Sequence, residues 1–150
     1  GVDKNTVSHY VDLLEKSFVV FKLNSFSRNV RNEIKANKKI YFYDNGVRNM
    51  LIGNFNTLAF RQDKGALWEN FIISERMKML SYKNSVAKPY FWRTTQQQEV
   101  DYIEIVADDI NAFEIKWKAK KAKLPKTFSD HYKGSFTVVM ADNFREFLKA

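Results

Sequence analysis

The chain of 150 residues is 45% hydrophobic and 15% aromatic, which excludes an intrinsically disordered protein. Its 25 Lys and Arg residues exceed its 17 Asp and Glu residues, and the net charge of +8 favours a polyanionic partner, nucleic acid before membrane. Cysteine is absent and only two histidines are present, so disulfides, thiolate metal sites and multi-histidine zinc sites are excluded.

No targeting or anchoring segment is visible in the sequence. No apolar run has the length of a transmembrane helix, and no signal peptide precedes the first helical pattern. We therefore expect a cytoplasmic protein without a membrane partner. The chain opens at Gly1 directly before a helical pattern, so we also expect a C-terminal fragment of a longer protein.

Residues 1–53 have the order of elements that ends a winged helix-turn-helix. A helix capped by Asn5 or Thr6 should carry an apolar stripe at helical spacing, and residues 18–23 should follow as a strand. After a basic loop, residues 40–43 supply the returning strand. The stripe consists of Val7, Tyr10, Val11 and Leu14. We expect a partial winged helix over this segment, followed by a short helix at residues 47–52.

The loop between those two strands is strongly basic. A wing with this charge would lie along a phosphate backbone, whereas a solvated loop that only keeps the protein soluble explains the same residues equally well. The candidate phosphate-binding side chains here are Arg28, Arg31, Lys35, Lys38 and Lys39.

Residues 54–150 form a second unit, with a predicted element order of α, β, β, β, α, β, α. The strongest helical pattern runs from Gly65 to Leu80, and its broad apolar face predicts deep packing. Glu69 falls early in this helix. It is either a first-turn residue that interacts with the helix dipole or a functional acid beside a site.

The segment Glu99–Trp117 predicts a β-hairpin with a turn at Asp108 and Asp109. With those two residues as the loop, Asp101 would lie opposite Lys116 and diagonal to Glu114, with all three on one face. A loop one residue longer would break this cluster. The opposite face, with Phe113, Ile115 and Trp117, should point into the core.

Two readings of this charged face remain open. Two carboxylates and a lysine on rigid backbone could hold a divalent cation while the ammonium group positions a water molecule or a phosphate. Asp, Glu and Lys are also the ordinary residues of a solvated hairpin face, where opposite charges stabilise the strand pair slightly.

A second basic run follows the hairpin around Pro125 and provides a further surface for backbone phosphates. Its candidate residues are Lys118, Lys120, Lys121 and Lys123.

Several motifs in order along the chain resemble an uncharacterised domain found at the C-terminus of prokaryotic AAA-type ATPases. The Thr6–Leu23 and Tyr41–Gly46 segments also look like that family, in which a winged-helix portion precedes a nuclease-like portion. The family is in turn similar to the PD-(D/E)XK restriction-endonuclease-like superfamily. The motifs are Gly65–Phe71, Tyr90–Arg93, Glu99–Tyr102 and Phe113–Trp117.

The resemblance implies a fold and a site. The fold would be α/β (α+β), with a restriction-endonuclease-like mixed sheet flanked by helices over residues 54–150 and a partial winged helix over residues 1–53. In the superfamily, a helix acid, a strand Asp and a Glu-x-Lys pair line a metal site. Carried over by motif, these catalytic residues are Glu69, Asp101, Glu114 and Lys116, with Asp101 and Glu114 as the metal ligands.

The sequence thus supports two main hypotheses. The first is an Mg²⁺- or Mn²⁺-dependent nuclease-like domain that acts on DNA phosphodiesters. The second is a non-catalytic DNA-binding, regulatory or protein-interaction module of an AAA-type ATPase whose ATPase module is missing from this chain. No Gly-x-x-x-x-Gly-Lys-Ser/Thr loop occurs, so we expect no ATP site of that kind in this fragment.

Overall fold

The computed structural model describes residues 1, 3–28, 37–118 and 122–149. The predicted phosphate-binding residues Arg31, Lys35, Lys120 and Lys121 lie outside these ranges, and their assignment stays a prediction. Within the described ranges, no helix combines the length and the apolar character that spanning a bilayer requires.

The described residues of the N-terminal part form two helices and a two-stranded antiparallel sheet. Strands β1 and β2 pair with Val20 opposite Phe42. Their bounds, with those of the helices on either side, are α1 (Lys4–Lys16), β1 (Val20–Asn24), β2 (Lys38–Phe42) and α2 (Asn45–Leu51). The predicted order of helix, strand, basic segment and returning strand is therefore confirmed.

Helix α1 begins earlier than predicted and leaves most of its apolar stripe exposed, with Val11 half-buried. Its cap is Asp3, whose carboxylate accepts a hydrogen bond from the backbone N–H of Asn5, so the prediction of a cap at Asn5 or Thr6 was wrong. Val7 and Tyr10 are 49% and 62% exposed. The helix is tied to β1 by ion pairs of Lys22 with Asp12 and Glu15.

The C-terminal part is a four-stranded mixed sheet with helices against it. Strands β3, β4 and β5 are antiparallel, and β6 runs parallel to β5. After a 3-10 turn at Leu58–Phe60, the elements are α3 (Lys64–Tyr82), β3 (Lys88–Arg93), β4 (Glu99–Val106), β5 (Asp109–Ile115), α4 (Lys126–His131), β6 (Gly134–Val139) and α5 (Phe144–Lys149). The predicted order of elements is confirmed, and the protein is of the mixed α+β class.

The β4–β5 hairpin forms with a different turn from the one predicted. Val106 pairs with Asp109, so the loop residues are Ala107 and Asp108, and Ala107 has a φ of 53°. This register sets Ile105 opposite Ile110, which join one apolar cluster. The predicted register was therefore wrong by two residues. Asp101 and Glu114 nevertheless meet at the ammonium group of Lys116, so the predicted cluster of charged side chains forms. The alternation of β4 is broken beside Asp101, since the β3–β4 register shifts there and both Val100 and Ile103 lie in one apolar cluster.

One hydrophobic core joins the two parts of the chain. Phe21, Leu23 and Tyr41 from the first sheet pack with Ile72 and Tyr102 from the second part. The division of the chain at residue 53 stays a prediction, because a shared core does not show whether either part folds alone.

A helix side chain fixes β2 against α3. The side-chain oxygen of Asn70 accepts a hydrogen bond from the backbone N–H of Phe42 at 2.8 Å, and its nitrogen donates to the backbone oxygen of Phe42 at 2.9 Å. The same nitrogen donates to the side chain of Asn45. Asn70 is 4% exposed, and these bonds satisfy its buried amide while they hold β2 beside the neighbouring Glu69.

A buried ion pair sets the rotation of α3 on the sheet. Arg76 contacts both carboxylate oxygens of Glu104, at 2.6 and 2.7 Å, and Tyr102 donates a hydrogen bond to the same carboxylate. Glu69 precedes Arg76 by seven residues, nearly two helical turns, so both side chains lie on similar faces of α3. The Arg76–Glu104 pair therefore helps to direct Glu69 towards the sheet.

The parallel β5–β6 pairing depends on a glycine. Gly134 lies opposite Ile110, and a Cβ atom at this position would stand 2.0 Å from the backbone oxygen of Ile110. We expect Gly134→Ala to lower the free energy of unfolding by roughly 1–3 kcal/mol, because strand backbone must move to admit the methyl group. Urea unfolding followed by circular dichroism measures this change.

The matched control is Gly65→Ala in the first turn of α3, where an added Cβ meets no atom within 4 Å. This variant should be as stable as the wild type or gain up to about 1 kcal/mol from helix propensity. Equal destabilisation of both variants would contradict the proposed role of Gly134.

Candidate functional site

The hairpin holds Asp101 in a fixed, mostly buried position. Its Oδ2 atom accepts a hydrogen bond from the backbone N–H of Ile115 at 2.8 Å, so the carboxylate on β4 is fastened to the backbone of β5. Asp101 is 9% exposed. A carboxylate held by a strand backbone in this way is set in place before any ligand arrives.

Glu114 and Lys116 join Asp101 on the same side of the sheet. The Lys116 ammonium nitrogen lies 3.8 Å from Asp101 Oδ2 and forms an ion pair with the Glu114 carboxylate. Because both carboxylates reach one ammonium nitrogen, they lie close together. The predicted meeting of these three side chains is confirmed in geometry, although Lys116 does not take the predicted place directly opposite Asp101.

The helix acid Glu69 approaches the same region and is bound by two side chains of β2. Its Oε1 atom accepts a hydrogen bond from the Tyr41 hydroxyl at 2.7 Å and lies 3.2 Å from the Lys39 ammonium group. Its negative charge also acts on Asp101. The sequence left two interpretations of Glu69 open: a first-turn residue that interacts with the helix dipole, or a functional acid beside a site. Its contacts with β2 favour the second interpretation.

The structure adds cluster members that the sequence analysis missed. Glu99 pairs with Lys39 and lies 3.1 Å from Arg93 of β3. Lys39 also lies 5.4 Å from the centre of the Phe91 ring. The signal for Glu99 was present, since it precedes Asp101 by two residues and shares its strand face. We name the group Glu69, Glu99, Asp101 and Glu114, with Lys39, Arg93 and Lys116, the carboxylate cluster.

The electrostatics of the cluster follow from its burial. Burial raises the pKa of Asp101 from 3.8 to about 6, and the nearby Glu69 adds to the rise, while the hydrogen bond from Ile115 opposes it. Burial raises the pKa of the Tyr41 hydroxyl, and Glu69 raises it further. Burial disfavours the charged forms of Lys39 and Lys116, but their acidic partners outweigh it and raise both pKa values.

The donor set suits a hard divalent cation and no softer metal, because it consists of carboxylate oxygens. Among the residues that the structure describes, no group of three or more His, Asp or Glu side chains stands where it could hold a metal ion. Asp101 and Glu114 are the pair that could share one cation, and Glu69 could bind a second ion or a water molecule on the first.

Of the predicted phosphate-binding residues that the structure describes, Lys39 belongs to the carboxylate cluster and the others lie outside it. Arg28, Lys38, Lys118 and Lys123 are exposed. The Arg28 guanidinium lies 5.8 Å from the centre of the Phe26 ring. Lys39 is instead partly buried among acidic side chains, so it does not lie free on a surface that could receive DNA.

These observations define a mixed α+β protein with a carboxylate and lysine cluster between a helix and a hairpin. The family model described as "Domain of unknown function (DUF4143)" matches residues 64–147, and the chain belongs to this family. A second model, "Domain of unknown function (DUF8612)", matches residues 1–58. The first match contains Glu69, Asp101, Glu114 and Lys116, and the second contains Lys39 and Tyr41.

Three curated relatives carry the name "uncharacterized protein". Uncharacterized proteins of Mycobacterium tuberculosis and Mycobacterium bovis are each 33% identical over 107 residues, which cover 69% of this chain and 23% of theirs. An uncharacterized protein of Haemophilus influenzae is 29% identical over 137 residues, which cover 86% of this chain and 30% of its own. The chain thus spans less than a third of the length of these relatives. No solved structure matches it.

The raised pKa of Asp101 predicts a specific pH dependence of stability. The pKa is about 6 in the folded protein and near 3.8 in the unfolded chain, so the folded state holds the proton more tightly. The free energy of unfolding therefore falls as the pH rises from 3.8 to about 6, by up to about 3 kcal/mol. Asp101→Asn should remove this part of the slope, because the amide oxygen still accepts the Ile115 N–H but does not titrate.

Urea unfolding at several pH values across this window, without added metal, measures the slope. Asp109→Asn, at an exposed position on β5, serves as the matched control and should keep the wild-type slope. An Asp101→Asn variant with the full wild-type slope would show that this carboxyl titrates normally.

Proposed function

We propose that the carboxylate cluster is the site of an Mg²⁺- or Mn²⁺-dependent nuclease-like domain that acts on DNA phosphodiesters. The observation that carries the proposal is the meeting of Asp101 and Glu114 at the ammonium group of Lys116. Acidic side chains on two paired strands, with a lysine beside them, form the arrangement that the resemblance to the PD-(D/E)XK superfamily led us to expect.

In this proposal each side chain has one role. Asp101 and Glu114, together with the backbone carbonyl of Ile115, would hold a metal ion, which when bound would supply a Lewis acid for a phosphate oxygen and for a water molecule. Glu69 would bind a second ion or a metal-bound water. Lys116 orients the attacking water or stabilises negative charge on the pentavalent transition state.

The basic side chains would bind the DNA backbone without reading its sequence. Neutralising phosphates with lysine and arginine releases counterions, so binding of this kind weakens steeply as salt is added. Lys118 and Lys123 follow Glu114 and Lys116 along the chain, and both are exposed. Arg28, at the start of the predicted basic loop, is exposed as well. The net charge of +8 supports this role.

The proposed context is the C-terminal region of an AAA-type ATPase in a prokaryotic cell. The family match and the small share of the relatives' length that the chain covers both support a place within a larger protein. Nucleotide hydrolysis would then occur in another part of that protein, in cis to this domain.

The second candidate is a regulatory or protein-interaction module without catalysis. Exposed apolar side chains favour it: Phe55 and Phe60 are 71% and 81% exposed. A groove of about 380 Å³ between Leu58, Trp68 and Phe144 has no carboxylate among the described residues that line it.

Salt-dependent DNA binding that survives Asp101→Ala and Glu114→Ala, without cleavage, would favour a non-catalytic DNA-binding module. Absence of DNA binding at low salt would favour protein interaction.

A metal-dependent rise in melting temperature tests the proposed site. Mn²⁺ that binds the folded protein alone stabilises it by about 2.7 kcal/mol at about 100 times its dissociation constant. We expect this gain for the wild type in millimolar Mg²⁺ or Mn²⁺, together with nicking of supercoiled plasmid. Asp101→Asn and Glu114→Gln should lose both effects, since each removes one anionic ligand.

Asp109→Asn makes the same change of charge at an exposed position outside the cluster and should keep both effects. The nuclease proposal fails if neither metal changes the melting temperature and no nicking appears. It also fails if the nicking activity is the same in Asp101→Asn as in the wild type.

A further inference from the structure

Lys39 stands out because it enters the carboxylate cluster from the other part of the chain. It lies on β2, within the segment matched by the second family model, whereas the carboxylates belong to α3, β4 and β5. Its side chain is 20% exposed, and its ammonium group contacts Glu69 and Glu99. The hydrogen bonds between the Asn70 side chain and the Phe42 backbone hold β2, the strand that carries Lys39, against α3.

We propose that Lys39 is the resident counter-ion of the carboxylate cluster, and that a divalent metal ion enters the cluster in competition with its ammonium group. The proposal rests on the proposed function. It adds that the N-terminal segment controls how tightly the site binds its metal.

The charge balance of the cluster supports competition rather than joint occupancy. Among the described residues, four carboxylates face three cationic side chains: Glu69, Glu99, Asp101 and Glu114 against Lys39, Arg93 and Lys116. With all groups ionised, one negative charge is uncompensated. A dication added beside Lys39 would leave a net positive charge, whereas a dication that replaces the Lys39 ammonium group would balance the cluster.

Position supports the same conclusion. The Lys39 ammonium group contacts the oxygen of Glu69 that also binds Tyr41, and its charge acts on Asp101 as well. Glu69 is the carboxylate to which the proposed function assigns a second ion or a metal-bound water. A metal ion held by Asp101 and Glu114, with Glu69 on a second ion or a metal-bound water, would place positive charge near the Lys39 ammonium group in partly buried surroundings, where charges repel strongly.

A purely structural lysine would behave differently. If Lys39 only fastens β2 to α3, its removal should lower stability and leave the metal affinity unchanged or weaker. If it is a counter-ion that metal must displace, the neutral variant should bind metal more tightly despite any loss of stability. Metal affinity therefore separates the two roles.

The test is titration of Mn²⁺ into the wild type, Lys39→Met and Lys78→Met, followed by calorimetry or by the electron paramagnetic resonance signal of free Mn²⁺. We expect Lys39→Met to bind Mn²⁺ about tenfold more tightly than the wild type. Lys78 pairs with Glu75 elsewhere on α3, so Lys78→Met changes the net charge equally and should bind like the wild type. Unchanged or weaker binding by Lys39→Met overturns the proposal.

A second measurement uses the unaltered protein, in case Lys39→Met does not fold. Acetic anhydride modifies lysines that are not engaged in ion pairs, and mass spectrometry reports the extent of modification at each residue. Saturating Mn²⁺ should raise the modification of Lys39 several-fold and leave Lys78 unchanged. Equal modification of Lys39 with and without Mn²⁺ overturns the proposal.

Asp101→Asn in the wild-type and Lys39→Met backgrounds separates this inference from the proposed function. If Asp101→Asn abolishes wild-type binding but Lys39→Met does not tighten it, the counter-ion role alone fails. If Lys39→Met tightens binding and Asp101→Asn has no effect, the counter-ion role stands and the assignment of metal to Asp101 fails. If none of these proteins binds Mn²⁺, both fail.

Discussion

The pairing of β4 with β5 is the constraint on which the candidate site depends. It allows Asp101 on one strand to accept the backbone N–H of Ile115 on the other, and it sets Glu114 and Lys116 on the same side. A strand pair that moved by one residue would send Asp101 and Glu114 to opposite faces. The apolar pairing of Ile105 with Ile110 at the other end of the hairpin stabilises the register that keeps them together.

Burial and charge then act against each other in the cluster. Burial disfavours several carboxylates in one place, which explains why Asp101 titrates near pH 6 and why lysines lie against its neighbours. The cluster raises the free energy of the folded state most when its carboxylates are ionised and have no cationic partner, so cations must accompany them. In the structure these cations are side chains, and one of them, Lys39, comes from the N-terminal segment. If the cluster binds metal as we propose, the Lys39 ion pairs link occupancy of the site to the position of that segment.

The sequence was sufficient to predict the order of the elements, because that order follows from periodicity that is local in the chain. It did not reveal the break in the alternation of β4 beside Asp101, where Val100 and Ile103 enter the same apolar cluster. Asp101, Glu114 and Lys116 were expected together, and they do meet at the Lys116 ammonium group, although the predicted register was wrong by two residues. The position of Lys39 could not be predicted, because it depends on how one sheet packs against a distant helix. The role of Asn70 could not be predicted for the same reason. Its hydrogen bonds with the Phe42 backbone join residues far apart in the chain, and the local sequence pattern does not indicate them.

The most direct test of the central claim is the crystal structure of the protein soaked in Mn²⁺, with data collected near the manganese absorption edge. The account predicts an anomalous peak between the carboxylates of Asp101 and Glu114, with the Lys39 ammonium group moved away from Glu69. Well-ordered carboxylates that keep their present lysine partners, with no anomalous peak between them at saturating Mn²⁺, would contradict it.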